Sequence, residues 1–278
     1  MTERPAGRHL SAVLANPRAD RVKQVAALAG RSARRRASQM IVEGPQAVRE
    51  LVAHRAEHVS DVYVSESALA TRGPLWAIAE SALEKGLAVH PVTDEVAHAL
   101  SADAQGIVAV AGLAAIVGEP VVRGDRLVAI LSNARDPGNA GAAIRAADAA
   151  GVATVVLAGE CVDPANPKVI RASAGSLFHV SVMKVAALAD ATDSAREAGL
   201  TVLAADVSGD VELGVPGALE GASPTAWVFG NEAWGLSADE LAMADRVVRI
   251  PIFGEAESLN LGTAVAVCLY WSAFAQRL

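Results

Sequence analysis

Short apolar, β-branched runs alternate along the chain with segments whose apolar residues recur at helical spacing. The first runs are QMIV (39–42), VSDVYV (59–64), LAVHPV (87–92) and GIVAVAG (106–112), and helical spacing fills 45–54 and 74–85 between them. The alternation breaks at Gly118, Glu119 and Pro120 and again at Gly124 and Asp125, which predicts a linker over 114–125. It restarts with LVAIL (127–131), TVVLA (154–158), FHVSV (178–182), TVLAA (201–205), TAWVFG (225–230) and VVRIPI (247–252). Several of these are continuously apolar, as expected of central parallel strands covered on both faces. The pattern therefore predicts an α/β protein: a smaller domain over 1–113, the linker, and a layered, mostly parallel sheet over 126–278. Ligands of such sheets bind beyond the carboxyl ends of the strands, so the loops after Leu131, Phe229 and Ile252 are the places to look for chemistry.

Composition agrees with two domains. The chain has 278 residues, and a domain takes roughly 100 to 200. Hydrophobic residues make up 52% and charged residues 20%, which excludes a disordered chain. The net charge of -7 argues against a nucleic-acid partner when taken whole. Its distribution argues otherwise. Residues 1–58 hold 11 basic and 5 acidic side chains, net +6, which leaves 13 and 26, net -13, for the remainder. The densest basic cluster is Arg31, Arg34, Arg35 and Arg36, either a phosphate-binding surface or a solvated helix face.

Two cysteines, Cys161 and Cys268, are too few for a zinc cluster or a disulfide scaffold, and suit a reducing cytoplasm. The first ten residues lack a signal-type apolar run, and no uncharged stretch reaches the roughly 18 to 20 residues of a membrane span. The longest candidate, 259–275, contains Asn260, Thr263 and Ser272 and reads as a buried or interface helix. No membrane association and no metal are expected.

No glycine fingerprint of dinucleotide enzymes, no phosphate-binding P-loop and no nucleophile elbow is present. In the first strand-end loop and its helix (132–151), Asn139 is a candidate cap, and Arg145 is a long cation among Ala142, Ala143, Ile144, Ala146 and Ala147. Helical side chains lean toward the N-terminus, which would aim Arg145 over the strand ends; a salt bridge to Asp148 or Asp136 is the structural alternative. In the second (229–237), Gly230 and Gly235 permit close backbone approach to a ligand. Glu232 there either orients a substrate group or holds the loop through backbone amides. In the third (250–275), Ser258 resembles the cap of an apolar helix, and capping does not explain Asn260 within the first turn.

In this order, DPGNAGAAIRAADAAG, FGNEAWGLS and IPIFGEAESLN closely resemble the three signature motifs of the SpoU (TrmH-type) family of S-adenosylmethionine-dependent RNA ribose 2'-O-methyltransferases, of the SPOUT superfamily. KVIRASAGSLFHVSV (168–182) extends the likeness over 125–278. QMIVEGPQAVRELV (39–52) and DAQGIVAVAG (103–112) resemble the substrate-binding domain that many members carry, and members with it act mostly on ribosomal RNA. Some confer thiopeptide resistance by methylating large-subunit rRNA. The resemblance implies a trefoil-knotted catalytic domain with the knot over 225–278, a homodimer with the apolar helix after Ser258 in its interface, and a cofactor held by backbone of Gly230, Ile250 and Leu259. It marks Asn139, Arg145, Glu232, Ser258 and Asn260 as functional positions. Arg145 is the family's proposed base. A guanidinium, with a pKa above about 12, stays protonated, so Arg145 reads here as the group that holds a phosphate and stabilises the developing alkoxide. Arg34, Arg35, Arg36, Arg135 and Arg171 are the cations expected to meet RNA. A transfer-RNA methyltransferase, a non-catalytic RNA-binding relative and a nucleotide-binding oxidoreductase are the alternatives.

Overall fold

The computed structural model describes residues 12–116, 118–216 and 223–277; the first ten residues, read above for a leader, lie outside them. The chain forms two compact units, one of residues 1–115 with 165–171, the other of 116–164 with 172–278.

The first unit is a four-stranded sheet. Its strands β1 (Gln39–Glu43), β2 (Val59–Ser65), β3 (Val89–Val92) and β4 (Ile107–Gly112) stand in the order β1-β4-β2-β3. β2 and β3 are parallel and the other pairings antiparallel. Helices α1 (Asp20–Ala27), α2 (Arg31–Ala37), α3 (Pro45–His54), α4 (Glu66–Thr71), α5 (Pro74–Glu84) and α6 (Asp94–Leu100) surround it. Ile41, Tyr63, Val108 and Val110 form one apolar cluster with Val22, Val25, Val96 and Leu100 of α1 and α6. The intervening Met40, Val42, Val62 and Val64 are equally buried, so both faces of the sheet are covered at its centre.

Two expected RNA-facing cations are otherwise engaged in this unit. Arg34 is 2% exposed and donates to the carbonyls of Leu28 and Ala29, at 3.1 and 2.7 Å, just past the end of α1. It holds a helix end, and only Arg31, Arg35 and Arg36 of the cluster are exposed. Arg171 pairs with the buried Glu43 and with Asp103, the latter at 2.6 Å. A buried carboxylate needs such a partner, which accounts for Arg171 structurally.

The second unit is a seven-stranded sheet, parallel throughout. Strands β5 (Leu127–Ser132), β6 (Thr154–Ala158), β7 (Ser181–Val185), β8 (Thr201–Ala205), β9 (Val211–Glu212), β10 (Thr225–Phe229) and β11 (Arg246–Arg249) stand in the order β7-β6-β5-β10-β8-β11-β9. Its helices are α7 (Pro137–Ala150), α9 (Leu188–Glu197), α10 (Ala238–Leu241) and α11 (Leu261–Arg277), while α8 (Pro167–Ala172) groups up to Arg171 with the first unit. Leu188, Ala191 and Ala195 of α9 pack on Val128, Ile130, Val156, Val202 and Val228. Trp227, the alternate residue of β10, is fully buried and donates to Ser272 Oγ of α11 at 2.9 Å, so α11 covers the opposite face. A Cβ on Gly262 of α11 would lie 2.9 Å from that of Ala142 on α7, which is why a glycine stands where the two helices touch.

Two strand expectations shift. Residues 176–178 form a 3-10 turn after Ala174 and Gly175, both at positive φ, so the strand expected at 178–182 runs instead as β7. β11 ends at Arg249 rather than 252. No described helix is long and apolar enough to cross a membrane.

Candidate active site

The carboxyl ends of β8, β10 and β11 open into a cleft of about 480 Å³. Gly230, Ile250 and Leu259 line it, as do Glu232, Ser258 and Asn260, so six positions taken from the second and third loops converge on one cavity.

The loop after β10 is tightly fixed. Asn231, 6% exposed, donates from Nδ2 to the Asn133 carbonyl at 2.6 Å and accepts from the Ala233 amide at 2.8 Å, and its backbone pairs with Gly235. A Cβ on Gly230 would sit 2.4 Å from the Gly235 carbonyl carbon and 2.7 Å from the Leu236 nitrogen. The chain's own backbone thus makes a close approach that needs this glycine, and Gly230 also lines the cleft. Glu232 is exposed and has no hydrogen bond or ion pair among the described residues. The loop-holding role considered for it falls to Asn231, and the Glu232 carboxylate faces the cleft uncommitted.

Both helix caps differ from expectation. Asp136, not Asn139, caps α7, accepting from the Asn139 amide at 2.8 Å. Asn260, not Ser258, opens α11: its Oδ1 accepts from the Gly262 amide at 2.9 Å, while its Nδ2 donates to Asn139 Oδ1 at 2.7 Å. Asn260 is thus exposed and doubly bonded, which removes the cost of an unpaired buried amide. The Asn139–Asn260 bond ties together the N-termini of α7 and α11, each with amides that favour negative charge. Ser258 is exposed on the cleft.

Arg145 does not line the cleft. It lies on the exposed face of α7 with no hydrogen bond or ion pair among the described residues. Its proposed salt-bridge partners are occupied, Asp136 with the cap and Asp148 with His179 Nδ1 at 2.8 Å.

Sequence reasoning missed the network under these loops. Glu240 Oε1 accepts from Ser132 Oγ at 2.5 Å and from Asn133 Nδ2 at 3.3 Å, and Oε2 accepts from the Ser237 amide at 2.8 Å. Burial of the Glu240 carboxyl acts to raise its pKa, but the hydrogen bonds from Ser132, Ser237 and Asn133 outweigh it and hold the group below the ordinary carboxylate range. Asn133 is left-handed (φ 52°), and its Oδ1 accepts from the Glu160 amide at 3.0 Å. One side chain thereby links the loops after β5, β6 and β10. The only signal in the sequence was the Ser-x-x-Glu capping pattern of residues 237–240. Both thiols are poor nucleophiles, since burial pushes the pKa of Cys161 and Cys268 upward.

Residues 126–270 match the family model described as the SpoU rRNA Methylase family, and 19–109 match the MRM3-like substrate binding domain. The chain belongs to the SpoU rRNA methylase family. Among its relatives, the 23S rRNA (guanosine-2'-O-)-methyltransferase RlmB of Bordetella pertussis is 33% identical over 243 residues, 85% of this chain and 97% of that one. An AdoMet-bound rRNA methyltransferase from Sinorhizobium meliloti superposes with a TM-score of 0.78 at 25% identity, over 94% of this chain and 97% of that chain. The crystal structure of an RNA 2'-O ribose methyltransferase superposes with a TM-score of 0.80 at 28% identity, over 96% of this chain and 99% of that chain. The mixed α/β architecture with its parallel sheet is that of SpoU family structures.

Proposed function

We propose that the chain transfers a methyl group from S-adenosylmethionine to a ribose 2'-OH of ribosomal RNA, with large-subunit rRNA the favoured substrate. The observation that carries this reading is the convergence of Gly230, Glu232, Ile250, Ser258, Leu259 and Asn260 on one cleft at the strand ends. A cleft of about 480 Å³ falls within the roughly 300 to 1,000 Å³ of small-molecule sites. Its backbone at Gly230, Ile250 and Leu259 suits the cofactor. When bound, S-adenosylmethionine supplies an already activated methyl group.

The chain's own residues then have two tasks, alignment and charge stabilisation. Glu232 and Ser258, exposed on the cleft, orient the ribose hydroxyl. Asn260, fixed by its two hydrogen bonds, holds the N-termini of α7 and α11 in register. Arg145, outside this chain's own cleft and with no partner among the described residues, is available to an RNA phosphate and, in a homodimer, to the oxygen on which charge develops in the cleft of the second copy.

The first unit is read as the RNA-binding domain, with Arg31, Arg35 and Arg36 on its surface, and the enzyme as cytoplasmic. Family membership supports a trefoil knot over 225–278. Val267, Tyr270 and Phe274 of α11 are exposed, which supports that helix as the interface of a homodimer. The decisive experiment is incubation with labelled S-adenosylmethionine and rRNA, followed by mapping of ribose methylation. Label on a base, or none on RNA, overturns the reading.

A further inference from the structure

Trp234 stands two residues past Glu232 on the wall of the cleft and is 55% exposed. A surface indole on a soft loop would carry little meaning. This loop is pinned by Asn231 on both sides of its side chain and by backbone packed against Gly230, so the ring sits on a fixed support. The Arg135 guanidinium lies 5.2 Å from the ring centroid. Arg135 is in turn held by Glu160 at 2.6 Å, so the cation is anchored while both side chains remain open. At 55% exposure the ring forgoes much of the stabilisation that burying a large apolar side chain brings.

An exposed indole with a guanidinium at its face is the arrangement on which unpaired nucleobases stack. A ribose can enter the cleft only if its nucleotide, or a neighbour, leaves the surrounding RNA structure, and the unstacked base then needs a replacement π-surface. We infer that Trp234 and Arg135 form a stacking platform for an unpaired RNA base flanking the methylated ribose. This rests on the methyltransferase reading and adds to it the way the RNA is gripped. Stacking recognises the π-face that every base has, so the platform tolerates different bases and does not select the target nucleotide.

The test uses the full-length protein, a short single-stranded oligoribonucleotide of mixed sequence, and the variants Trp234→Ala, Trp234→Phe and Arg135→Ala. Oligonucleotide affinity is expected to fall about tenfold in Trp234→Ala and to stay within about threefold in Trp234→Phe. The chain has four tryptophans, and the quenching of their fluorescence by RNA should be lost in both Trp234 variants. Arg135→Ala should weaken binding and flatten its salt dependence. Calorimetric affinity for S-adenosylmethionine and sedimentation mass should not change. Unchanged oligonucleotide affinity in Trp234→Ala overturns the platform. So does weakened cofactor binding, which would make the indole part of the cofactor wall, or a changed mass, which would make it a contact with a second copy. If the wild-type protein binds and quenches but transfers no methyl group to rRNA, the methyltransferase reading fails, while the stacking of an unpaired base on Trp234 and Arg135 stands without its place beside a methylated ribose.

Discussion

Replacing Arg145 with alanine should separate catalysis from stability. The side chain is exposed and unpaired among the described residues, and Asp136 and Asp148 are already engaged. Surface substitutions of this kind shift stability by at most about 0.5 kcal/mol, and alanine is the best helix former, so α7 loses nothing by the change. In a domain of this size 1 kcal/mol corresponds to roughly 2 to 4 °C in Tm, which limits the expected shift to about 2 °C. Removing one preorganised donor from a site of developing negative charge costs about 10²- to 10³-fold in rate. Single-turnover methyl transfer to rRNA at saturating cofactor, calorimetric cofactor affinity and a thermal scan measure the three quantities together. Turnover within tenfold of wild type would refute the assigned role. A Tm loss of about 5 °C or more would instead show that Arg145 carries a structural contact.

Glu240→Gln removes a charge that the wild type uses. A carboxyl held below its ordinary pKa contributes stability above the ordinary value, and that stability is lost as pH falls through the folded-state value. The difference in unfolding free energy between wild type and variant should be constant at neutral pH and shrink below about pH 4.3; a pH-independent difference contradicts the network. Gly230→Ala forces a Cβ to within 2.4 Å of the Gly235 carbonyl carbon. It should cost about 1 to 3 kcal/mol in urea unfolding and weaken S-adenosylmethionine binding, and wild-type values for both would refute the close approach. Arg34→Ala should destabilise by roughly 1 to 3 kcal/mol, whereas Arg35→Ala with Arg36→Ala should leave stability unchanged and lower the salt slope of RNA binding by about 2. Equal behaviour of the two variants would restore the reading of a uniform cluster.

The strands of the second unit were legible because a parallel sheet covered on both faces leaves β5, β6 and β10 apolar except for Ser132, Thr154 and Thr225 at their ends. β9 was not legible: a two-residue edge strand carries no periodicity. Two loops of the cleft could be located, because the strand-end rule and the motifs point to the same places, whereas the loop after β8, with Asp206 and Val207, carries no motif. Their internal wiring could not. Whether Asp136 or Asn139 caps α7 depends on one turn of backbone, and both residue types are good caps. The left-handed conformation of Asn133 leaves no trace in composition. Charge was legible as a sum and a distribution, but Arg34 is engaged by the nearby carbonyls of Leu28 and Ala29 and Arg171 by carboxylates far away in sequence, which no count of basic residues reveals.

The bond between Asn139 and Asn260 spans 121 residues. At roughly 5 to 20 residues per second of synthesis, its first partner waits about 6 to 24 s for its second. During that interval β5 has β6 beside it but not β10, and α7 has no α11 to cover it. A long-range pairing of this kind folds slowly and leaves apolar surface open meanwhile. The cleft is therefore assembled only once the chain has passed Asn260, and a chain that stops short of it lacks both the Asn139–Asn260 bond and the wall formed by Ser258 and Leu259.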